Sequence, residues 1–407
     1  MPSLDIIGDD KLTLPGGEVV RFAHLDYAAS APCVRAAADA VAELLPRYGS
    51  VHRGTGVRSQ ASTIAYELAR DVVAEFVGAG PDHSVIFTRN TTDALNLLAR
   101  ALPPGTTTVQ FDGEHHANLL PWPNPLRLPA PGSPNTAVAA LDEALRRLTG
   151  PAVFTVTGAS NVTGELWPVR RLADVAHAHG VRVVVDAAQL APHRPVDLTE
   201  LGADYLAFSG HKLYAPFGAG VLAGRTDWLD AAAPYLAGGG ASVAVGDRPG
   251  ELSWATGPAR HEGGTPNLLG AVALAAVCSA LITADRAALH EHEQHLLGRL
   301  RDGLTAVPEA TEVSVFGPDQ PRVGIVSLHL RGHDPAEVAQ RLSREHGIGV
   351  RAGQFCAHPL VRRLTGAATT GACGTAATGL LRASFGLGST AEDVDRFVTG
   401  LAEVLRT

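Results

Sequence analysis

The run Val181-Arg-Val-Val-Val185, ended by Asp186, constrains this chain more than any other segment. A nearly continuous β-branched run of this kind is a strand buried on both faces, as in a parallel sheet covered by helices. The text around it repeats the theme. Ser84–Thr88 and Val153–Thr157 read as strands, each with a partner helix, over Thr92–Leu102 and Val169–His179. Gly180 closes the second helix. Tyr205–Phe208 and Gly220–Leu222 are further short strands. Strand and helix in alternation predict an α/β domain with a mostly parallel sheet.

The pattern changes after Leu268–Ala284. That segment is apolar, but it is short for a membrane span, rich in Ala and interrupted by Ser and Thr. With Asn267 as its N-cap it reads as a long buried helix. Beyond it come a polar helix over Arg286–Leu304, a strand over Val323–Leu330, an amphipathic helix over Pro335–His346 and a last helix over Ala391–Arg406. With 407 residues available, we expect a large α/β domain over 21–284 and a smaller α+β domain over 285–407. Residues 1–20 are expected to pack on the smaller one. Ala237–Ala241 opens a long loop, and the small-residue stretch Thr365–Gly379 reads as a mobile loop.

Lys and Arg number 33 against 41 Asp and Glu, a net charge of −8 with no basic block. Such a chain has no electrostatic reason to bind nucleic acid. Cys33, Cys278, Cys356 and Cys373 are widely spaced and form no Cys-x-x-Cys pair. That argues against a disulfide framework or zinc site and for a reducing cytoplasm. The first ten residues lack the basic and apolar regions of a signal peptide.

In open parallel sheets, ligands bind beyond the carboxyl ends of the strands. Asp186 stands at such an end. A buried carboxylate there needs a partner, and a protonated pyridine nitrogen is one; a helix cap or structural ion pair is the alternative. Gln189, three residues on, can reach the same ligand. Ser209-Gly210-His211-Lys212 follows the next strand, 26 residues beyond Asp186. A desolvated lysine can form a Schiff base, with Ser209 and His211 free to bind phosphate; a solvated lysine in a turn is the alternative. Asn90-Thr91-Thr92-Asp93 starts a helix, where amides and two hydroxyls make an anion site or a plain Thr N-cap. In Glu114-His115-His116-Ala117-Asn118, a ring can stack on a flat cofactor or lie on the surface; adjacent His residues rarely share one metal ion. Arg351 and Arg382 are candidate carboxylate clamps. Cys356, between them, is either an accessible nucleophile or a small buried hydrophobe.

Each motif is weak alone, but their order is specific. From Leu25-Asp26-Tyr27-Ala28-Ala29 to Arg382-Ala383-Ser384 the chain resembles the cysteine desulfurases and selenocysteine lyases. These are class-V aminotransferase-type enzymes of pyridoxal phosphate (PLP), fold type I. The match is carried by Asn90-Thr-Thr-Asp, Glu114-His-His-Ala-Asn, Ser160-Asn161-Val162-Thr-Gly, Asp186-Ala-Ala-Gln189, Phe208-Ser-Gly-His-Lys-Leu-Tyr, Gly264-Thr265-Pro266-Asn267 and Arg351-Ala-Gly-x-x-Cys356.

The resemblance implies a mostly parallel central sheet with a smaller α+β C-terminal domain. It also implies roles. Lys212 would carry PLP as a Schiff base and shuttle protons. Asp186 would pair with the pyridine nitrogen, Gln189 would contact the ring oxygen, and His115 would stack on the ring and join the catalysis. Thr91, Thr92, Ser209 and His211 would hold the phosphate. Thr265 would reach the phosphate of a neighbouring subunit, which implies a homodimer. Ala28, Asn161, Arg351 and Arg382 would bind the substrate, and Cys356 would attack its sulfur and pass it to an acceptor protein.

Three departures stand out. Gln354-Phe355 replaces the two His usual before the nucleophile, and His52-Arg53-Gly54-Thr55-Gly56 lacks the second His of a related motif. Between Cys356 and Arg382 lie 25 residues, an unusually long spacing. Beside the desulfurase reading stand a PLP carbon–sulfur lyase, aminotransferase or epimerase independent of Cys356, and a non-catalytic PLP-binding module.

Overall fold

A computed structural model describes residues 4–8, 10–366 and 379–406. Its centre is a seven-stranded sheet. Across the sheet the strands run His83–Thr88, Gly220–Arg225, Tyr205–Ser209, Arg182–Asp186, Ala152–Thr157, Thr107–Phe111 and Pro125–Leu128. Only Gly220–Arg225 is antiparallel to its neighbours; the other pairings are parallel. Val183, Val184 and Val185 have no exposed surface, as expected of a strand covered on both sides. Val181 stays out of the sheet because its amide closes the preceding helix, donating to Ala176 O at 2.9 Å.

The apolar helix spans Leu268–Thr283 and is mostly buried, with the Asn267 side chain accepting from Gly270 N. It packs against the helices Arg35–Leu44 and Val57–Phe76. Among the described residues no single helix is long and apolar enough to cross a membrane. The chain then bends by 92° into the helix Arg286–Leu304.

A second hydrophobic core lies beyond that bend. It is built on a four-stranded antiparallel sheet of Ala310–Glu312, Ile325–Leu330, Leu380–Ser384 and Arg351–Gly353, in that spatial order. The helices Arg286–Leu304, Pro335–His346 and Ala391–Arg406 complete it. Ala23 and Leu25 are buried in this same core, and Ala23–His24 pairs in parallel with Ile348–Gly349. Arg21, at the end of the Val19–Arg21 strand, pairs with Asp393 of the last helix. Val323 and Gly324 precede the strand rather than joining it; the Val323 amide donates to Gly164 O and so ties the two cores together.

The loop opened by Ala237–Ala241 contains a small hairpin, Ser242–Val245 with Leu252–Trp254. Its Val243 and Val245 are exposed, so no buried alternation marked it in the sequence. Of the stretch Thr365–Gly379, residues 367–378 lie outside the described residues; Thr365 ends the helix His358–Thr365.

Candidate active site

The register of the central sheet fixes the floor of the site. Thr157 lies opposite Asp186, Asp186 opposite Ala207, Ser209 opposite Gly220, and Gly220 opposite Thr88. Neighbouring strands lie about 4.8 Å apart, so the loops leaving these ends converge. Thr91 and Ser209 meet on one side of Asp186, and the loop after Phe111, with Glu114 and His115, comes in from the other. Gly220 permits the convergence: a Cβ there would meet the Asn90 backbone at 2.5–2.8 Å.

These ends open into a cavity of about 450 Å³. Its walls hold Lys212, Asp186, Gln189, His115, Asn161 and Ala28 from the large core. Arg351, Phe355, Cys356 and Arg382 close it from the smaller body. Thr91, Thr92, Ser209 and His211 line the same space. Thr265 does not. It is exposed and lines a separate hollow beside Glu262 and Asn267 of its own chain.

The anion end is built by a helix start. The helix Thr91–Ala101 is capped by Asn90, whose side chain accepts from Asp93 N at 3.0 Å, so neither Thr is the N-cap. The Ser209 hydroxyl accepts from Thr91 N and lies 2.7 Å from Thr91 Oγ1. Thr92 is exposed, and its first-turn amide has no acceptor in its own helix. His211 Nδ1 lies 3.3 Å from Ser30 Oγ, and burial together with Lys212 lowers its pKa.

Lys212 and Asp186 form the electrostatic centre. Burial pushes the Lys212 ammonium down to about 8, opposed by Asp186 and assisted by Arg382. Burial also raises the Asp186 carboxyl, while Ala188 N and Lys212 hold it back. The Ala188 amide donates to Asp186 Oδ1 at 2.9 Å. Gln189 Nε2 donates to Ala28 O at 2.7 Å, which fixes the Asp26–Ala28 segment over the site. His115 is pushed down to about 3, first by burial and then by the charges of Lys212, His116 and Arg382, so its ring is neutral near pH 7. Its Nδ1 accepts from Ala117 N at 3.0 Å.

Arg382 is 3% exposed and heavily committed. Its Nη1 donates to Asn161 O at 2.9 Å and its Nη2 to Asp26 Oδ1 at 3.1 Å. Its Nε is buried without a partner. Arg351 is exposed and stands 3.8 Å from the other Asp26 oxygen. Cys356 is exposed at the rim. Its carbonyl accepts from His116 N at 2.7 Å. Phe355 and Cys356 have φ of 49° and 53°, a left-handed pair that non-glycine residues seldom adopt.

Three residues of the site carried no assigned role in the sequence. Asp26 links both arginines. Phe355 lays its ring against Arg382, 4.7 Å from centroid to Cζ, and its carbonyl accepts from Asn161 Nδ2. Glu114 is fully buried and its pKa is pushed up to about 8 by desolvation, against hydrogen bonds from Asn118 and Thr157 N. The quoted motifs contain Asp26 and Glu114, but the Asp26 partners lie far along the chain and one Glu114 partner, Thr157, lies on another strand.

Residues 23–397 match the model of the aminotransferase class-V family. A cysteine desulfurase of Klebsiella pneumoniae (strain 342) is 36% identical over 94% of this chain and 93% of its own. A probable cysteine desulfurase of Halalkalibacterium halodurans is also 36% identical, over 93% of this chain and 92% of its own. Among solved structures, the cysteine desulfurase CsdA of Escherichia coli superposes with a TM-score of 0.80 at 32% identity, over 95% of either chain. The apo cysteine desulfurase of Thermococcus onnurineus NA1 gives 0.83 at 31% identity, again over 95% of both. The fold is therefore that of the type I PLP enzymes, and the chain belongs to the class-V aminotransferase family.

Proposed function

We propose that this chain is a PLP-dependent cysteine desulfurase, which takes the sulfur of L-cysteine onto Cys356 and releases alanine. The observation that carries the reading is a single cavity shared by a desolvated lysine facing a buried carboxylate, a buried arginine and an exposed cysteine.

The residues present fit PLP. Asp186 is a buried carboxylate beside Lys212 and suits a pyridinium nitrogen. The Thr91–Thr92 helix start, with Ser209 and His211, suits a phosphate. Lys212 would hold the cofactor through its amine, and the neutral His115 ring would lie on its face. When bound, PLP supplies an electron sink for charge that develops at the substrate Cα.

The chain's own groups do the rest. Arg382 and Asn161 orient the substrate carboxylate. Lys212 Nζ, lowered towards neutrality, takes and returns a proton at Cα. Cys356 Sγ attacks the substrate sulfur: an S–S bond forms, the C–S bond breaks, and its electron pair passes to the carbon fragment. Cys356 is left as a persulfide, and the fragment takes up a proton to leave as alanine. The exposure of Cys356 suits transfer to an acceptor protein. The exposed Thr265, apart from its own chain's cavity, suits a homodimer in which it serves the partner's phosphate. Cysteines are sparse, and Cys33, Cys278 and Cys356, among the described residues, are free, which suits a reducing cytoplasm.

Alanine release from L-cysteine tests the reading, together with borohydride fixation of the cofactor and a peptide map. Alanine formation that needs Cys356, with the label on Lys212, is the expected result. Full activity in Cys356→Ala would instead indicate a carbon–sulfur lyase or related PLP reaction, and a label elsewhere would remove Lys212 from the cofactor.

A further inference from the structure

A small hollow of about 40 Å³, with a largely apolar lining, lies between the two cores, away from the cavity of Lys212. Arg286 enters it from the first turn of the helix that follows the 92° bend. Tyr214 enters from the segment just after Lys212, and Phe385–Leu387 from the chain just after the strand that bears Arg382. His193, His292 and Glu293 join the wall, with Pro192, Leu289 and Leu296 as its apolar part.

The charges in this hollow do not balance. Glu293 is the one carboxylate in the wall, and it is already taken. Arg194 Nη1 donates to its Oε2 at 2.6 Å, and His193 Nδ1 pairs with its Oε1. Those two partners, against desolvation, hold the Glu293 carboxyl at about 2, so it is ionised and saturated. Arg286 remains. Both its terminal nitrogens, Nη1 and Nη2, are buried and have no hydrogen-bond partner. Glu293 lies close enough to act on its charge, but neither nitrogen is hydrogen-bonded to it, and buried donors of a cation are normally paired, most directly by an anion in contact with them. The Tyr214 hydroxyl adds a donor: its oxygen accepts from Leu387 N at 3.1 Å, which leaves its proton free to point elsewhere.

Size narrows the ligand. A water molecule needs about 10–15 Å³ of such space, so the hollow holds only a few particles of that size. A halide ion fits that space, whereas phosphate, with four oxygens, does not. We propose that Arg286 and Tyr214 form a binding site for a small monovalent anion of the chloride class. The bound ion joins the segment after Lys212, the segment after Arg382 and the junction helix in one electrostatic contact. It stabilises the relative setting of the two cores, independently of the reaction in the larger cavity.

The test uses the PLP-loaded enzyme. Its melting temperature is measured in chloride and in gluconate, an anion too large for the hollow, at equal ionic strength. Chloride is expected to raise it by about 2–4 °C, the scale set by an ion that binds only the folded state. Arg286→Met removes the charge, so its melting temperature is expected to be equal in the two salts. Crystals of the unsubstituted enzyme grown in bromide give a reading independent of any variant. An anomalous peak within hydrogen-bond reach of Arg286 Nη1 or Nη2 supports the site. Water alone in the hollow under saturating bromide, with no salt-specific difference in melting, overturns it.

Discussion

The side-chain amide of Asn161 donates to the backbone carbonyl of Phe355 at 2.8 Å, while the Phe355 ring rests against the guanidinium of Arg382. One residue of the small body therefore holds both groups assigned to the substrate carboxylate. Arg382 is further fixed by Asp26, so its fork is set before substrate arrives.

Removing that fork should be felt mainly in binding. Arg382→Gln is expected to lower kcat/KM for L-cysteine by roughly 10- to 100-fold, the worth of hydrogen bonds to a charged group. Most of the loss should appear in KM. Steady-state kinetics check it, and an unchanged KM would take Arg382 out of substrate binding.

Lys212 gives the cofactor-free protein a specific pH dependence. Its pKa falls from an ordinary 10.5 to about 8 in the folded chain. Between those values the unfolded chain binds the extra proton, so stability rises with pH across the window. Below about pH 8 both states are protonated, and the full cost of burying the charge, roughly 3 kcal/mol, is present. Urea melts of the apo-protein from pH 7.5 to about 10.5 should show this rise, and Lys212→Met should flatten it. Equal slopes in the two proteins would contradict the assignment.

Cys356 separates chemistry from backbone strain. Cys356→Ala is expected to lose alanine formation from L-cysteine while the enzyme keeps the yellow colour of its cofactor. Cys356→Gly should lose it too, but should be more stable than the Ala variant by about 1 kcal/mol, since glycine adopts positive φ without penalty. Thermal melts compare the two; a less stable Gly variant would argue against the left-handed backbone at Cys356.

His115 is held neutral across the working range, its pKa pushed down to about 3. His115→Phe should therefore leave the acidic limb of the kcat/KM profile in place, even where it lowers the rate. A displaced limb in pH–rate measurements would give His115 a titrating role.

The parts of the site that were legible in the sequence are those fixed by strand ends. Asp186 and Lys212 follow apolar strands whose pattern marks where the sheet stops, so their convergence follows from register. Asp26 could not be placed that way. Its partner Arg382 is 356 positions distant, and only the packing of the second core brings them together. Glu114 carries no local signal of burial in the sequence; Thr157 and Asn118 close over it only in the fold. The strand expected from Val323 begins at Ile325 because Val323 packs into the larger core and its amide pairs with Gly164, a choice no local propensity records. Thr265 lies outside the Lys212 cavity of its own chain, a separation that no local pattern in the sequence records.

On the proposed reading, two backbone tethers at the rim set how sulfur would travel. Asn161 pins the carbonyl of Phe355, and His116 pins that of Cys356. The main chain at Cys356 is thus anchored to the large core on both sides of its left-handed bend. Delivery then relies on the swing of one short side chain about its Cα–Cβ bond, a radius of a few ångström, rather than on a sweeping arm. On the proposed desulfurase reading, an acceptor therefore has to come to the rim itself to meet that side chain.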